Sequence, residues 1–98
     1  MALTIDNVSV FADGVDHSEC VCVHPDGSVW CGGEAGQIYR ISSEGKIQEI
    51  NNTGGFVQGV AFSNDASWLA VCDSGNHCVW KLELASNKLI KFADGADG

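Results

Sequence analysis

Apolar and polar positions alternate in short bursts along the whole chain, and glycine, aspartate, asparagine or serine stands between the bursts. Runs of this kind predict β-strands separated by tight turns. They fall at Val8–Phe11, Ser18–His24, Ser28–Gly32, Gln37–Ile41, Lys46–Ile50, Val57–Ser63, Ser67–Cys72, His77–Leu82 and Lys88–Phe92. Pro25-Asp26-Gly27 is the strongest turn signal, since proline sets one backbone angle and glycine supplies another. No window carries the three-to-four-residue period of an amphipathic helix. The expectation is an all-β chain.

The stretch from Val60 to Leu82 shows how the strands are organised. Three apolar runs are joined by an Asn64-Asp65-Ala66-Ser67 turn and an Asp73-Ser74-Gly75-Asn76 turn, which predicts an up-and-down meander. The same pattern occurs twice. Glu19-Cys20-Val21-Cys22-Val23-His24-Pro25-Asp26 aligns with Gln58-Gly59-Val60-Ala61-Phe62-Ser63-Asn64-Asp65, and Ile38-Tyr39-Arg40-Ile41 with Val79-Trp80-Lys81-Leu82. Phe11-Ala12-Asp13-Gly14 returns two units later as Phe92-Ala93-Asp94-Gly95. A period of about 40 residues with four strands per unit is the mark of a β-propeller blade. Blades stack face to face, which accounts for consecutive apolar residues such as Val21-Cys22-Val23 and Val60-Ala61-Phe62. Trp30, Tyr39, Trp68 and Trp80 are expected between blades, and the small Gly59 and Ala61 suit an innermost strand.

The domain reading is therefore two blades. Residues 8–17 form the outer strand of a preceding blade and its connection, 18–50 the first blade, 57–92 the second, and 93–98 a tail. Two blades leave two apolar faces without neighbours. The expected partners are further blades of a longer chain or copies of this one, with three copies closing a six-bladed ring. Val8–Phe11 and Leu89–Phe92 hold the same place in the repeat, so a ring of copies carries a spare outer strand.

Composition narrows the function. The 98 residues carry a net charge of -8, which opposes binding to nucleic-acid backbones or anionic membranes. No stretch is long and apolar enough to span a membrane, and Met1–Asp6 lacks the pattern of a signal peptide. With five cysteines, an odd number, the expectation is reduced thiols and a cytoplasmic location. Cys20 and Cys22 lie on one strand face, but no second pair stands at zinc-binding spacing, so they read as small apolar residues. No phosphate loop or serine-nucleophile motif is present.

The segment His17-Ser18-Glu19-Cys20-Val21-Cys22-Val23, followed by Pro25-Asp26-Gly27-Ser28-Val29-Trp30-Cys31-Gly32-Gly33-Glu34-Ala35-Gly36-Gln37-Ile38-Tyr39-Arg40-Ile41, resembles the family of regucalcin (senescence marker protein), gluconolactonases and strictosidine synthase-like proteins. Thr53-Gly54-Gly55-Phe56 and the Gln58–Phe62 strand extend the resemblance, and Val71-Cys72-Asp73-Ser74-Gly75-Asn76-His77 looks like an NHL repeat, a related propeller unit. The resemblance spans about Val8 to Gly95. Family members are usually single chains of six blades.

The resemblance implies a metal-dependent hydrolase of lactones or related esters that holds a divalent cation, calcium above all, in the central channel. It makes Glu19, at the start of an innermost strand, the first candidate ligand, since a hard cation takes carboxylate oxygens. Gln58 is its counterpart in the second blade, where gluconolactonase-like members more often carry asparagine; its amide oxygen stands one carbon further out. The remaining ligands of the family fall in later blades. His17 is a candidate general base at the channel mouth, weighed against an exposed turn histidine. His24 and His77 stand at turns without evident partners. Asp73 reads as the organiser of its turn, bonding backbone amides, and Glu34 is given the same reading in the first blade. The competing reading is a non-catalytic, NHL-like scaffold whose loops bind a protein or ligand, or a structural ring.

Overall fold

In the computed structural model, which describes residues 9–94, two four-stranded antiparallel sheets follow one another along the chain. Blade 1 contains β1 (Val21–Val23), β2 (Val29–Gly32), β3 (Gln37–Ile41) and β4 (Ile47–Asn52), paired in chain order. Blade 2 repeats the meander with β5 (Val57–Phe62), β6 (Trp68–Asp73), β7 (Cys78–Glu83) and β8 (Lys88–Asp94). The innermost strands β1 and β5 lie next to each other, and β2 also touches β5. No helix among the described residues is long and apolar enough to cross a membrane.

The registers show where the second repeat is longer than the first. Val21 pairs with Cys31 and Val60 with Val71; Cys31 in turn pairs with Tyr39 and Val71 with Trp80. Each of the first two hairpins of blade 2 is therefore one residue longer than its counterpart. Both first hairpins close in the same way. Asp26 Oδ1 accepts the Ser28 backbone N–H at 2.8 Å, and Asp65 Oδ1 accepts that of Ser67 at 3.0 Å. The serine hydroxyls donate to the same oxygens, holding Asp26 below the usual carboxylate range and Asp65 at about 2. Blade 1 meets the left-handed backbone of this turn with Gly27 (φ 89°), whereas blade 2 forces Ala66 into it (φ 58°).

The main core lies between the blades. Trp30, Ile38, Val57, Leu69, Val71 and Leu82 are all buried there, flanked by Cys20, Cys22, Val60, Phe62 and Trp80. Trp30 meets the Phe62 ring edge-on at 5.8 Å, and its indole N–H donates to the Ser28 hydroxyl at 2.9 Å. Val57 sits where blade 1 offers a bare backbone: a Cβ on Gly32 would fall 2.0 Å from a Val57 methyl. Alternation thus sends one face of each sheet to the neighbouring blade. A second cluster of Cys31, Tyr39 and Ile41 forms on the opposite face of blade 1, covered by Ala12, Val15 and Ile47.

Three expectations need correction. The strand at Val8–Phe11 does not form over Ser9–Phe11, and Val8 lies outside the described residues. Val10 and Phe11 are exposed; the Phe11 carbonyl lies beside Gly45 in the β3–β4 turn, and the residues that pack on the face of blade 1 are the following Ala12 and Val15. The Ser18–His24 strand shrinks to Val21–Val23, the only residues of that stretch that pair with β2, from Val21 opposite Cys31 to Val23 opposite Val29. His24 is not partnerless: its Nε2 lies 3.3 Å from the Ala66 carbonyl, its Nδ1 accepts the Asp26 N–H, and its ring stands edge-on to Phe62. It therefore ties the two first hairpins together.

Candidate functional site

The connection entering each blade runs to the same end of the sheets as the β2–β3 and β6–β7 hairpins. The Asp16 carbonyl accepts the Glu34 N–H in blade 1, and the Phe56 carbonyl accepts the Ser74 N–H in blade 2. Glu19 and Gln58 follow these connections. Both are exposed. Glu19 makes no side-chain hydrogen bond or ion pair among the described residues. Gln58 is the extra residue of a β-bulge, since Val57 pairs with Asp73 and Gly59 with Cys72. A bulge re-aims its side chain, and Gln58 lines a shallow recess of about 210 Å³ together with Cys72, His77, Val79 and Asp94.

Beside Glu19 stands a cluster of which the sequence singled out His17 and Glu34, separately and in other roles, and not Asp16. His17 Nδ1 lies 2.8 Å from Asp16 Oδ1 and 3.0 Å from Glu34 Oε2. Ligand atoms of all three residues fall within 4.8 Å of one another. His17 takes a left-handed backbone (φ 45°), which turns its ring back onto Asp16. The Asp16 hydrogen bond, then the charge of Glu34, raises the His17 pKa above its ordinary value, and Glu19 adds a smaller push the same way. Asp16 is correspondingly lowered, by His17 first and then by Gln37, whose Nε2 donates to Asp16 Oδ2 at 3.1 Å. The Asp16 backbone N–H donates to the Tyr39 hydroxyl, which anchors the segment to β3.

Glu34 therefore does not organise its hairpin. That task falls to Gln37, whose Oε1 accepts the Ala35 N–H at 2.9 Å. Asp73, by contrast, is consumed by its turn. Only 2% exposed, it accepts from the backbone N–H groups of Phe56 and Asn76, from Asn76 Nδ2 and from Trp80 Nε1. Burial pushes this carboxyl up, but the donors from Phe56, Trp80 and Asn76 outweigh it and hold the group below the usual carboxylate range. His77 is exposed with a left-handed backbone (φ 55°) at the rim of the recess.

All five cysteines are free. Cys31 and Cys78 are buried; Cys20 and Cys22 are half-buried and pack on the inter-blade core. Burial pushes the Cys22 thiol up to about 11, so this group is an inert core residue, as its spacing suggested.

Two consecutive four-stranded meanders sharing an inter-blade core define the class as a β-propeller. A family model described as SMP-30/gluconolactonase/LRE-like region matches residues 18–94. The chain belongs to that family. Among solved structures it is similar to virginiamycin B lyase from Staphylococcus aureus, with a TM-score of 0.68 and 17% identity over 82% of this chain. The chain spans 28% of that protein's length. A search of curated proteins gave no match.

Proposed function

We propose that this chain supplies two blades of a divalent-cation-assisted hydrolase of lactones or related esters, with Glu19 as a cation ligand. The observation that carries this reading is the exposed Glu19 carboxylate at the entrance of the innermost strand, without a protein partner among the described residues. The donor set suits a hard cation such as calcium: a free carboxylate on Glu19 and an amide oxygen on Gln58. When bound, such an ion polarises the substrate carbonyl and lowers the pKa of a water. His17 stands two residues before Glu19, with Nδ1 held by Asp16 and Glu34. Its Nε2 is left to exchange a proton with substrate or water. The bond to Asp16 orients the ring and keeps the protonated form populated to higher pH.

The test is acid release from gluconolactone in a pH-stat by the complete propeller that contains these blades, with calcium, with chelator, and with Glu19→Gln. The reading expects turnover above the spontaneous rate that both chelator and Glu19→Gln return to background. Turnover indifferent to both, or none above background, overturns it. A non-catalytic scaffold is the second reading. It draws on Asp73, whose carboxylate is spent on the β6–β7 turn and leaves the exposed Ser74–His77 loop to face a partner.

A further inference from the structure

Blade 2 presents, on its free face, the surface that blade 1 buries. The repeat relates them residue by residue: Trp30, Gly32, Ile38 and Arg40 of blade 1 face blade 2, and their counterparts Ala70, Cys72, Val79 and Lys81 face away from blade 1. The recess at Gln58, Cys72 and Val79 is the counterpart of the place that Val57 fills in blade 1. Phe92 (62% exposed) and Ile90 (38%) extend this face outward, with Phe92 against Trp68 at 5.7 Å. On the free face of blade 1, Val21 and Val23 are 66% and 65% exposed.

We propose that these two faces are complementary, and that blade 2 of one chain docks head to tail on blade 1 of a second copy. The internal interface supplies the template, and one exchange of sizes argues for a copy of this chain as the occupant. At the internal contact, blade 1 contributes Gly32 and blade 2 contributes the bulky Val57. At the proposed contact, blade 2 contributes Cys72 in the place of Gly32. Blade 1 of the copy contributes Ser18 in the place of Val57. The larger residue has moved to the other side, so the summed volume is nearly kept. Valine against Cys72 would overfill the same space.

Among the described residues the contact has one competitor. Ala12 and Val15 cover Cys31, Tyr39 and Ile41 on the outer half of the blade 1 face. Phe92-Ala93-Asp94 of the docking copy repeats Phe11-Ala12-Asp13 and claims the same place. The entering segment Ser9–Asp13 therefore yields its place when copies associate. Such a contact is heterologous, and it closes into a ring if the rotation per copy allows.

Molar mass by light scattering, from about 1 to 300 µM in physiological salt, tests the contact. The expectation is a rise from one chain mass to a closed multiple, with the Cys72 thiol losing reactivity over the same range. Removal of residues 1–13 is expected to shift this rise to at least about tenfold lower concentration. Cys72→Arg and Ser18→Arg each block one of the two faces. Each variant alone is expected to stay monomeric with native near-ultraviolet circular dichroism, and the two mixed to stop at a dimer. A monomer at every concentration with and without residues 1–13, or assembly undiminished in both variants, overturns the proposal.

Discussion

Replacing Asp73 by alanine is the most informative single change to the fold. The carboxylate is 2% exposed and accepts four hydrogen bonds, of 3.0, 3.0, 2.7 and 3.0 Å, from Phe56, Asn76 and Trp80. Those donors come from the inter-blade connection, the β6–β7 turn and β7, so one side chain fastens three segments. A hydrogen bond to a charged acceptor contributes about 1.5–3 kcal/mol, and the four are not additive because they share one group. Neighbouring recess water can re-pair some of the donors. The expected loss is about 3–5 kcal/mol for Asp73→Ala. For Asp73→Asn it is about 2 kcal/mol, because the amide keeps one acceptor but turns a donor toward other donors. Since about 1 kcal/mol moves the midpoint of a chain this size by about 4–8 °C, Asp73→Ala is expected to melt at least about 12 °C lower. Urea unfolding followed by tryptophan fluorescence reads the same quantity. The folded pKa of Asp73 is depressed, so its contribution is present above the unfolded value near 3.9 and fades as pH falls toward the folded value. The acid limb of wild-type stability below about pH 5 should therefore be shallower in Asp73→Ala. A variant within about 0.5 kcal/mol of wild type, with an unchanged acid limb, would refute the reasoning.

Three further outcomes follow from the same geometry. Gly32→Ala forces a methyl into Val57 and is expected to cost about 1–3 kcal/mol, while Gly32→Ala with Val57→Ala recovers part of that loss in a double-mutant cycle by urea unfolding. The His17 ring, followed by proton NMR, should titrate above its ordinary value near 6.5, and Asp16→Asn should bring it down; because the folded pKa is raised, the stability this bond contributes is full below about pH 6.5 and lost above the folded pKa. In dilute protein a thiol reagent should modify exposed Cys72 first, with buried Cys31 and Cys78 protected until unfolding, as read by mass spectrometry.

The strands were legible because each apolar run is bounded by its own turn chemistry. Asp26 and Asp65 announce their hairpins in sequence and close them in space through the same serine bonds. Where the reading slipped, the missing information was a partner from elsewhere in the chain. Ser9–Phe11 has the alternation of a strand but pairs with no strand among the described residues, and the β1–β2 ladder stops at Val21 opposite Cys31, short of Ser18–Cys20. Glu34 corresponds to Asp73 only at a constant repeat offset, and the hairpins differ by a residue, which shifts every equivalence beyond the first turn. The Asp16, His17 and Glu34 grouping was hidden for a related reason: it needs the left-handed His17 backbone to turn the ring toward a hairpin many residues away.

Calcium titration by calorimetry on wild type and Glu19→Gln tests the functional account most directly. The account predicts saturable binding that Glu19→Gln weakens at least about tenfold with the fold intact by circular dichroism. Binding of equal strength in both proteins, or no binding by wild type at millimolar calcium, would contradict it.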